Sequence, residues 1–324
     1  MFAPFWEFLF QHPYIASATS ILTLSAIMKY MFKPLSRVKR LSPTAERVLI
    51  VGATSGVGRN LANLYAKRGT KVCIIGRRQA QLEEVRAECI QSGDAANIKS
   101  SILAMAADMT SAEDLVAVRE YLEKEWGGVD TIVVCAGVSA LRPLLDVAHS
   151  PHGKSETSVE AVKLTGEVAQ KAISGNFTGP LLTAVTFIPQ LQRTSQAPAI
   201  LLISSVAALI PAPSRSLYCS SKAASLMLFR SLAIEHPSIA FNYICPGTIE
   251  GSFRASAVDG GDVREALDGA LKIEEVASRC MRMVDHNEGL VMVPWKYTPA
   301  LWLSLLVPWF TDRKAAEKYG YTSK

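Results

Sequence analysis

The amino-acid sequence predicts an α/β protein built on a doubly wound parallel sheet, with an N-terminal transmembrane helix and an apolar C-terminal segment. Three observations carry this expectation. Between residues 47 and 294, short continuously apolar runs alternate with amphipathic stretches, the pattern of parallel strands covered by helices on both faces. A glycine-rich turn, GATSGVGRN, joins the first apolar run to the first amphipathic stretch. Residues 8–28 contain no Asp, Glu, Lys or Arg, and such a stretch is long enough to span a bilayer as a helix.

The elements follow in order. RVLIV (47–51) reads as the first strand, with an amphipathic helix running from the glycine turn to Gly69. KVCIIG (71–76) is the second strand, followed by a charged helix over 79–91. SILAMAAD is the third strand, and a helix over 112–126 leads into DTIVVCAG. AILLISS (199–205), IAFNYICPG (239–247) and EGLVMVP complete the set of strands. The polar stretch 149–158 reads as a surface loop or insertion. The chain thus divides into an anchor with its basic flank (1–40), a catalytic domain (41–294) and a Trp-rich C-terminal segment with a polar tail (295–324).

Composition narrows the class. The net charge of +5 is mild, and no basic run interleaved with aromatics points to nucleic acid. The six cysteines form no C-x-x-C pair and read as small buried hydrophobes in a reducing compartment, not as a disulfide framework or metal site. Nearly half the residues are hydrophobic, an excess that the two termini help to explain. The apolar stretch near the start is followed by Lys29, Lys33, Arg37, Lys39 and Arg40, and only Glu7 and His12 titrate before or within its beginning. A secretory signal has the opposite charge order, so the reading is an uncleaved single-pass anchor in an intracellular membrane, the endoplasmic reticulum, with the domain in the cytosol. A helix lying in the interface is the alternative. Residues 293–310 hold Lys296, three prolines, Trp295, Trp302 and Trp309, a poor spanning helix. This segment either lies at lipid headgroups or packs on the protein's own core.

The glycine turn suits a dinucleotide. Gly52, Gly56 and Gly58, with Thr54, Ser55 and Val57 between them, stand where a strand ends and a helix begins. Free amides and the helix dipole there favour a diphosphate, and a Cβ would block its approach. The second strand ends in Gly76-Arg77-Arg78, without the acid that would bind an unmodified ribose, and Arg59 follows the glycine turn. Guanidinium groups suit a 2′-phosphate in charge and shape, so the expected cofactor is NADP(H).

LYCSSK places Tyr218 and Lys222 one helical turn apart, thirteen residues after the serine that ends AILLISS. Glycine turn, Ser205 and Tyr-x-x-x-Lys together resemble the short-chain dehydrogenase/reductase family over about residues 47–294, with a Rossmann fold. The resemblance implies Tyr218 as general acid at a carbonyl oxygen, its pKa lowered by Lys222, which also binds the nicotinamide ribose. Tyr218 likewise meets the cofactor. Ser205 would bond the substrate oxygen, with Ser204 the alternative if the register slips by one. Asn176 matches the family asparagine that holds a relay water, and Asp108 the acid at the adenine. Ala136 and Gly137 follow the fourth strand beside the cofactor. Pro246 and Gly247 match the loop beside the nicotinamide, with Ile249 offering its backbone to the carboxamide. Two departures stand out: the family's Asn-Asn-Ala-Gly is Val134-Cys135-Ala136-Gly137, and the threonine four residues past Pro-Gly is Gly251, with Ser252 beside it.

The expected function is therefore NADP(H)-dependent interconversion of a carbonyl and a secondary alcohol on a small lipophilic substrate, such as a steroid, terpenoid, sphingoid base or other lipid. Residues 208–216 and 250–272 would frame the pocket, the latter as a glycine-hinged lid. Membrane lipid is the expected partner, and a homodimer is compatible with the sequence. A catalytically silent, membrane-tethered nucleotide-binding scaffold is the alternative.

Overall fold

A computed structural model describes residues 36–93, 101–149, 156–261 and 269–321. The expected anchor over 8–28 lies outside the described residues, as do most of the polar insertion and the middle of the proposed lid. Among the described residues, no helix is long and apolar enough to cross a membrane.

Seven parallel strands form one sheet in the order β3-β2-β1-β4-β5-β6-β7. They are β1 (Arg47–Val51), β2 (Lys71–Gly76), β3 (Ile102–Ala106), β4 (Thr131–Val134), β5 (Ala199–Ile203), β6 (Ala240–Pro246) and β7 (Leu290–Val293). The helices are α1 (Gly56–Lys67), α2 (Gln79–Ser92), α3 (Ala112–Trp126), the single turn α4 (Leu144–Val147), α5 (Val159–Ile173), α6 (Gly179–Thr194), α7 (Ser216–Glu235), α8 (Ile273–His286), α9 (Tyr297–Leu306) and α10 (Pro308–Tyr319).

The strand period of two divides the core. Val48 and Ile50 of β1 point into a layer with Leu61 and Tyr65 of α1, Leu82 of α2 and Met283 of α8. Leu49 and Val51 point the other way, onto Leu122 of α3, Phe187 of α6 and Phe229 of α7. Strand order reverses between β1 and β4, and a crevice opens there beyond the carboxyl ends of the strands.

Ion pairs tie the opposite end. Buried Glu46 accepts from Arg37, Arg68 and the Thr131 hydroxyl. Arg47 forks onto both oxygens of Asp130. Arg37, in the basic stretch after the apolar segment, is only 6% exposed and also donates to the Ala197 carbonyl. Arg40 reaches the Gln196 carbonyl. The charge that follows the apolar stretch is therefore partly spent inside the domain, whose compact unit begins at Arg37.

The C-terminal segment belongs to that same unit. Tyr297 and Leu301 of α9 pack against the core layer that holds Phe229. Trp302, Leu305, Leu306 and Trp309 stay exposed. The segment thus packs on the domain with one face and presents an apolar face outward.

Candidate active site

A cleft of about 1580 Å³ runs over the carboxyl ends of β1, β2, β4, β5 and β6. Every residue expected at the cofactor lines it except Arg59.

The glycine turn is built for close approach. Gly52 has φ +88°, and a Cβ there would stand 2.6 Å from the Ala136 backbone of the neighbouring strand end. At Gly58 it would meet the Gly52 carbonyl at 2.3 Å. Ser55 stands at the N-cap of α1 without a side-chain cap bond, which leaves the first-turn amides available to an anion. Thr54, Ser55, Gly56 and Val57 fill this cradle. These residues fit a dinucleotide pyrophosphate.

At the end of β2, Arg77 and Arg78 are exposed on the cleft rim, and Arg78 Nη2 donates to Thr54 Oγ1 at 2.8 Å. Arg59 takes another course. It turns across to α2 and pairs with Glu84 at 2.6 Å and with Glu88, whose carboxyl it holds below the usual range. Arg59, expected at a 2′-phosphate, thus stands outside the cleft lining with its guanidinium on two carboxylates of α2. Asp108 lines the cleft beyond β3, with Oδ1 accepting from the Thr110 amide and hydroxyl.

The groups expected to handle the proton converge from three places: the π-helical turn before α6, α7 and the end of β5. Between α5 and α6 the chain widens into a π-helical turn, Ser174–Thr178, which carries Asn176. Such widened turns recur at functional sites. Asn176 is 1% exposed and does not itself line the cleft. Its Oδ1 accepts from Val138 N at 2.9 Å, and its Nδ2 donates to Val138 O and Ser221 Oγ, each at 3.0 Å. The amide therefore stitches the segment after β4 to α7. Where the resemblance leads one to expect asparagine stands Cys135, whose thiol burial pushes up to about 12. Gly137 leaves room for this joint, since a Cβ there would lie 2.8 Å from Asn176 Oδ1 and 3.2 Å from Lys222 Nζ.

Lys222 is 5% exposed and donates to the Ile203 carbonyl at the end of β5 at 3.0 Å. Burial lowers its pKa from 10.5 to about 8. Burial also raises the Tyr218 phenol, opposed by Arg215, a hydrogen bond with Ser205, and Arg254. Ser205 additionally accepts from Ala207 N at 3.1 Å, while Ser204 continues the strand through its amide to Ile244. Of the two serines, Ser205 is the one that meets the phenol.

Several site residues escape sequence reasoning. Arg215 lies over the Tyr218 ring, Phe253 meets that ring edge-on, and buried Arg254 donates to Thr248. Arg215 precedes Tyr218 by one helical turn, a spacing that could have revealed it. Tyr297 closes on the loop after β6: a Cβ on Gly247 would stand 2.8 Å from its ring. Pro246, Gly247 and Ile249 line the cleft there, and Ile249 bridges to Leu271. Gly251 has φ +103°, and exposed Ser252 lines the cleft beside it.

A family model described as short chain dehydrogenase matches residues 46–260, well over half of the chain. The chain belongs to the short-chain dehydrogenase/reductase family. It is accordingly an oxidoreductase. Among similar proteins is "11-beta-hydroxysteroid dehydrogenase A" of Sesamum indicum, 28% identical over 295 residues that cover 87% of this chain and 78% of the relative. "Dehydrogenase/reductase SDR family member 7" of Homo sapiens is 27% identical over 279 residues, covering 79% and 76%. Two solved structures share the fold of this dehydrogenase/reductase. One is an alcohol dehydrogenase from Thermococcus sibiricus complexed with 5-hydroxy-NADP, with TM-score 0.61 and 23% identity, covering 76% of this chain and 95% of that one. The other is a short chain dehydrogenase/reductase from Burkholderia phymatum in complex with NAD, with TM-score 0.66 and 17% identity, covering 81% and 93%.

Proposed function

We propose that this short-chain dehydrogenase/reductase interconverts a carbonyl and a secondary alcohol on a lipophilic substrate, uses NADP(H), and works at an intracellular membrane. One observation carries the reading: Ser205, Tyr218 and Lys222 meet in the same cleft as the glycine cradle, with Asn176 bracing them from behind.

When bound, the nicotinamide cofactor supplies or accepts the hydride. The glycine turn and the first-turn amides of α1 would hold its pyrophosphate, and Asp108 would face the adenine. Arg77 and Arg78, with no acid at the end of β2, favour a 2′-phosphate. Ser205 would orient the substrate oxygen by hydrogen bonding. In the reductive direction Tyr218 would donate its phenolic proton to that oxygen. Lys222, fixed on Ile203 O, would stabilise the phenolate left behind. Asn176 would hold the segment beside Gly137 and leave Lys222 its space.

A lipophilic substrate is supported by Ile210, Pro211, Phe253, Val258 and Tyr319 along the cleft, and by relatives whose names include a hydroxysteroid dehydrogenase. Membrane attachment is supported by the apolar stretch 8–28 and by the exposed Trp302 and Trp309 beside a cleft that α10 helps to line. Positive residues after that stretch favour a cytosolic domain. Exposed Val185 and Met227 on α6 and α7 would suit a homodimer.

The test uses the full-length protein in detergent, with NADPH or NADH and a panel of lipophilic ketones. Loss of reduced-cofactor absorbance with NADPH and at least one such ketone is expected. Binding of NADPH without turnover of any carbonyl would favour a silent scaffold. Protease should digest the domain in sealed microsomes; protection without detergent would reverse the topology.

A further inference from the structure

The substrate end of the cleft carries cations that the redox step does not use. Arg215 Cζ sits 4.4 Å from the centroid of the Tyr218 ring. Its Nε is buried and has no hydrogen-bond partner, and its Nη2 reaches only Ser139 Oγ, at 3.4 Å. No ion pair among the described residues includes Arg215. Arg254, 6% exposed, donates to Thr248 Oγ1 at 2.9 Å and lines the same wall. Lys314 and Lys318 of α10 stand further out along it. Three carboxylates line the cleft, Asp108, Glu167 and Glu250, and no ion pair among the described residues joins any of them to Arg215; Asp108 accepts from Thr110 and Glu250 from the Ile273 amide.

A guanidinium N–H buried without a partner is costly, and the cost is recovered when a carboxylate entering the cleft takes it together with a second N–H of the fork. The cofactor would not supply that anion here. Its phosphates belong at the glycine turn and the β2 rim, while its redox-active end is neutral or cationic.

We propose that the substrate carries a carboxylate in addition to its carbonyl, and that Arg215 binds this carboxylate beside Tyr218. The inference rests on the oxidoreductase reading for the carbonyl and narrows the substrate to an oxo acid or hydroxy acid with an apolar body. The Arg215 guanidinium lies against the ring whose hydroxyl serves the carbonyl, so the two groups are close in the substrate. The apolar remainder would run along Ile210, Pro211 and Phe253.

Two matched pairs test this with the full chain. Binding of phenylbutyrate and of the corresponding alcohol is measured by calorimetry. Reduction of benzoylpropionate and of its methyl ester is followed by cofactor absorbance. The wild type should prefer the acid in each pair by about tenfold or more. Arg215→Met should largely erase that preference, and Arg215→Lys, which keeps charge but loses the fork, should retain part of it. Thermal midpoints identify a variant that fails to fold, in which case the wild-type preference and Arg215→Lys decide. Equal treatment of acid and neutral partner by the wild type overturns the proposal, as does an unchanged preference in folded Arg215→Met, which would leave Arg215 as a stacking support for Tyr218. Arg215-dependent binding of phenylbutyrate without any turnover would uphold the anion site and count against the oxidoreductase reading. Tyr218-dependent reduction of acid and ester alike would do the reverse.

Discussion

Lys222 Nζ donates to the main-chain carbonyl of Ile203 at 3.0 Å, so the terminal residue of β5 fixes the lysine one helical turn after Tyr218. Burial is the leading cause of the ammonium's lowered pKa, from 10.5 to about 8. The folded protein therefore carries the cost of a buried charge below pH 8. The unfolded chain keeps its proton to about pH 10.4. Between these values the unfolded state binds more protons, so stability from this site rises with pH. The full cost is about 3 kcal/mol. Lys222→Met should gain stability relative to the wild type near pH 7, and the gain should shrink toward pH 10. Thermal midpoints across that range check this; a difference independent of pH would show that burial does not shift the Lys222 pKa.

The same titration bears on rate. With Lys222 ammonium needed to stabilise the phenolate, reductive kcat/KM should be highest below about pH 8 and fall above it. A rate–pH profile flat to pH 10 would remove the lysine charge from the proton-transfer step.

Gly137→Ala should be costly beyond its size. The new Cβ would stand 2.8 Å from Asn176 Oδ1 and 3.2 Å from Lys222 Nζ, both anchored by further bonds. Overpacking of this kind costs about 1–3 kcal/mol. A fall in thermal midpoint with a larger fall in kcat is expected. A variant with wild-type stability and turnover would mean that the joint yields easily.

Arg77→Asp should raise the NADPH Michaelis constant and lower that for NADH, because it exchanges a cation for the acid that suits a free ribose hydroxyl. Steady-state kinetics with both cofactors measure it. Equal use of both cofactors by the wild type would reduce the arginines to solvated residues at the start of α2.

Trp302→Glu with Trp309→Glu should weaken liposome binding of a chain lacking residues 1–28, since both indoles are exposed on α9 and α10. Co-sedimentation with vesicles tests it. Unchanged binding would assign the attachment elsewhere.

Much of this architecture is legible in the sequence because the strands are buried on both faces. Continuous apolar runs leave little ambiguity, and β1 and β2 begin and end where RVLIV and KVCIIG do. The glycine turn is legible for a steric reason, since only glycine tolerates the approach of Gly52 to Ala136. What stays hidden depends on contacts between distant segments. Nothing local to Arg59 says that Glu84 and Glu88 will hold it, or that Arg37 will be drawn into a buried pair with Glu46. Tyr297 lies in a stretch that reads equally as membrane or core, and its packing on Gly247 is a tertiary fact. The π-helical turn that aims Asn176 has no residue signature in SGNFT.

The central claim is that Tyr218 is the proton donor of a carbonyl–alcohol oxidoreductase. Tyr218→Phe removes one hydroxyl and leaves a ring that still fits between Arg215 and Phe253. The decisive measurement is kcat/KM for reduction of the best ketone in the panel, taken together with the NADPH dissociation constant for wild type and variant. A loss of about 10²–10⁴-fold in turnover with NADPH affinity nearly unchanged is predicted. Turnover close to wild type would contradict the account.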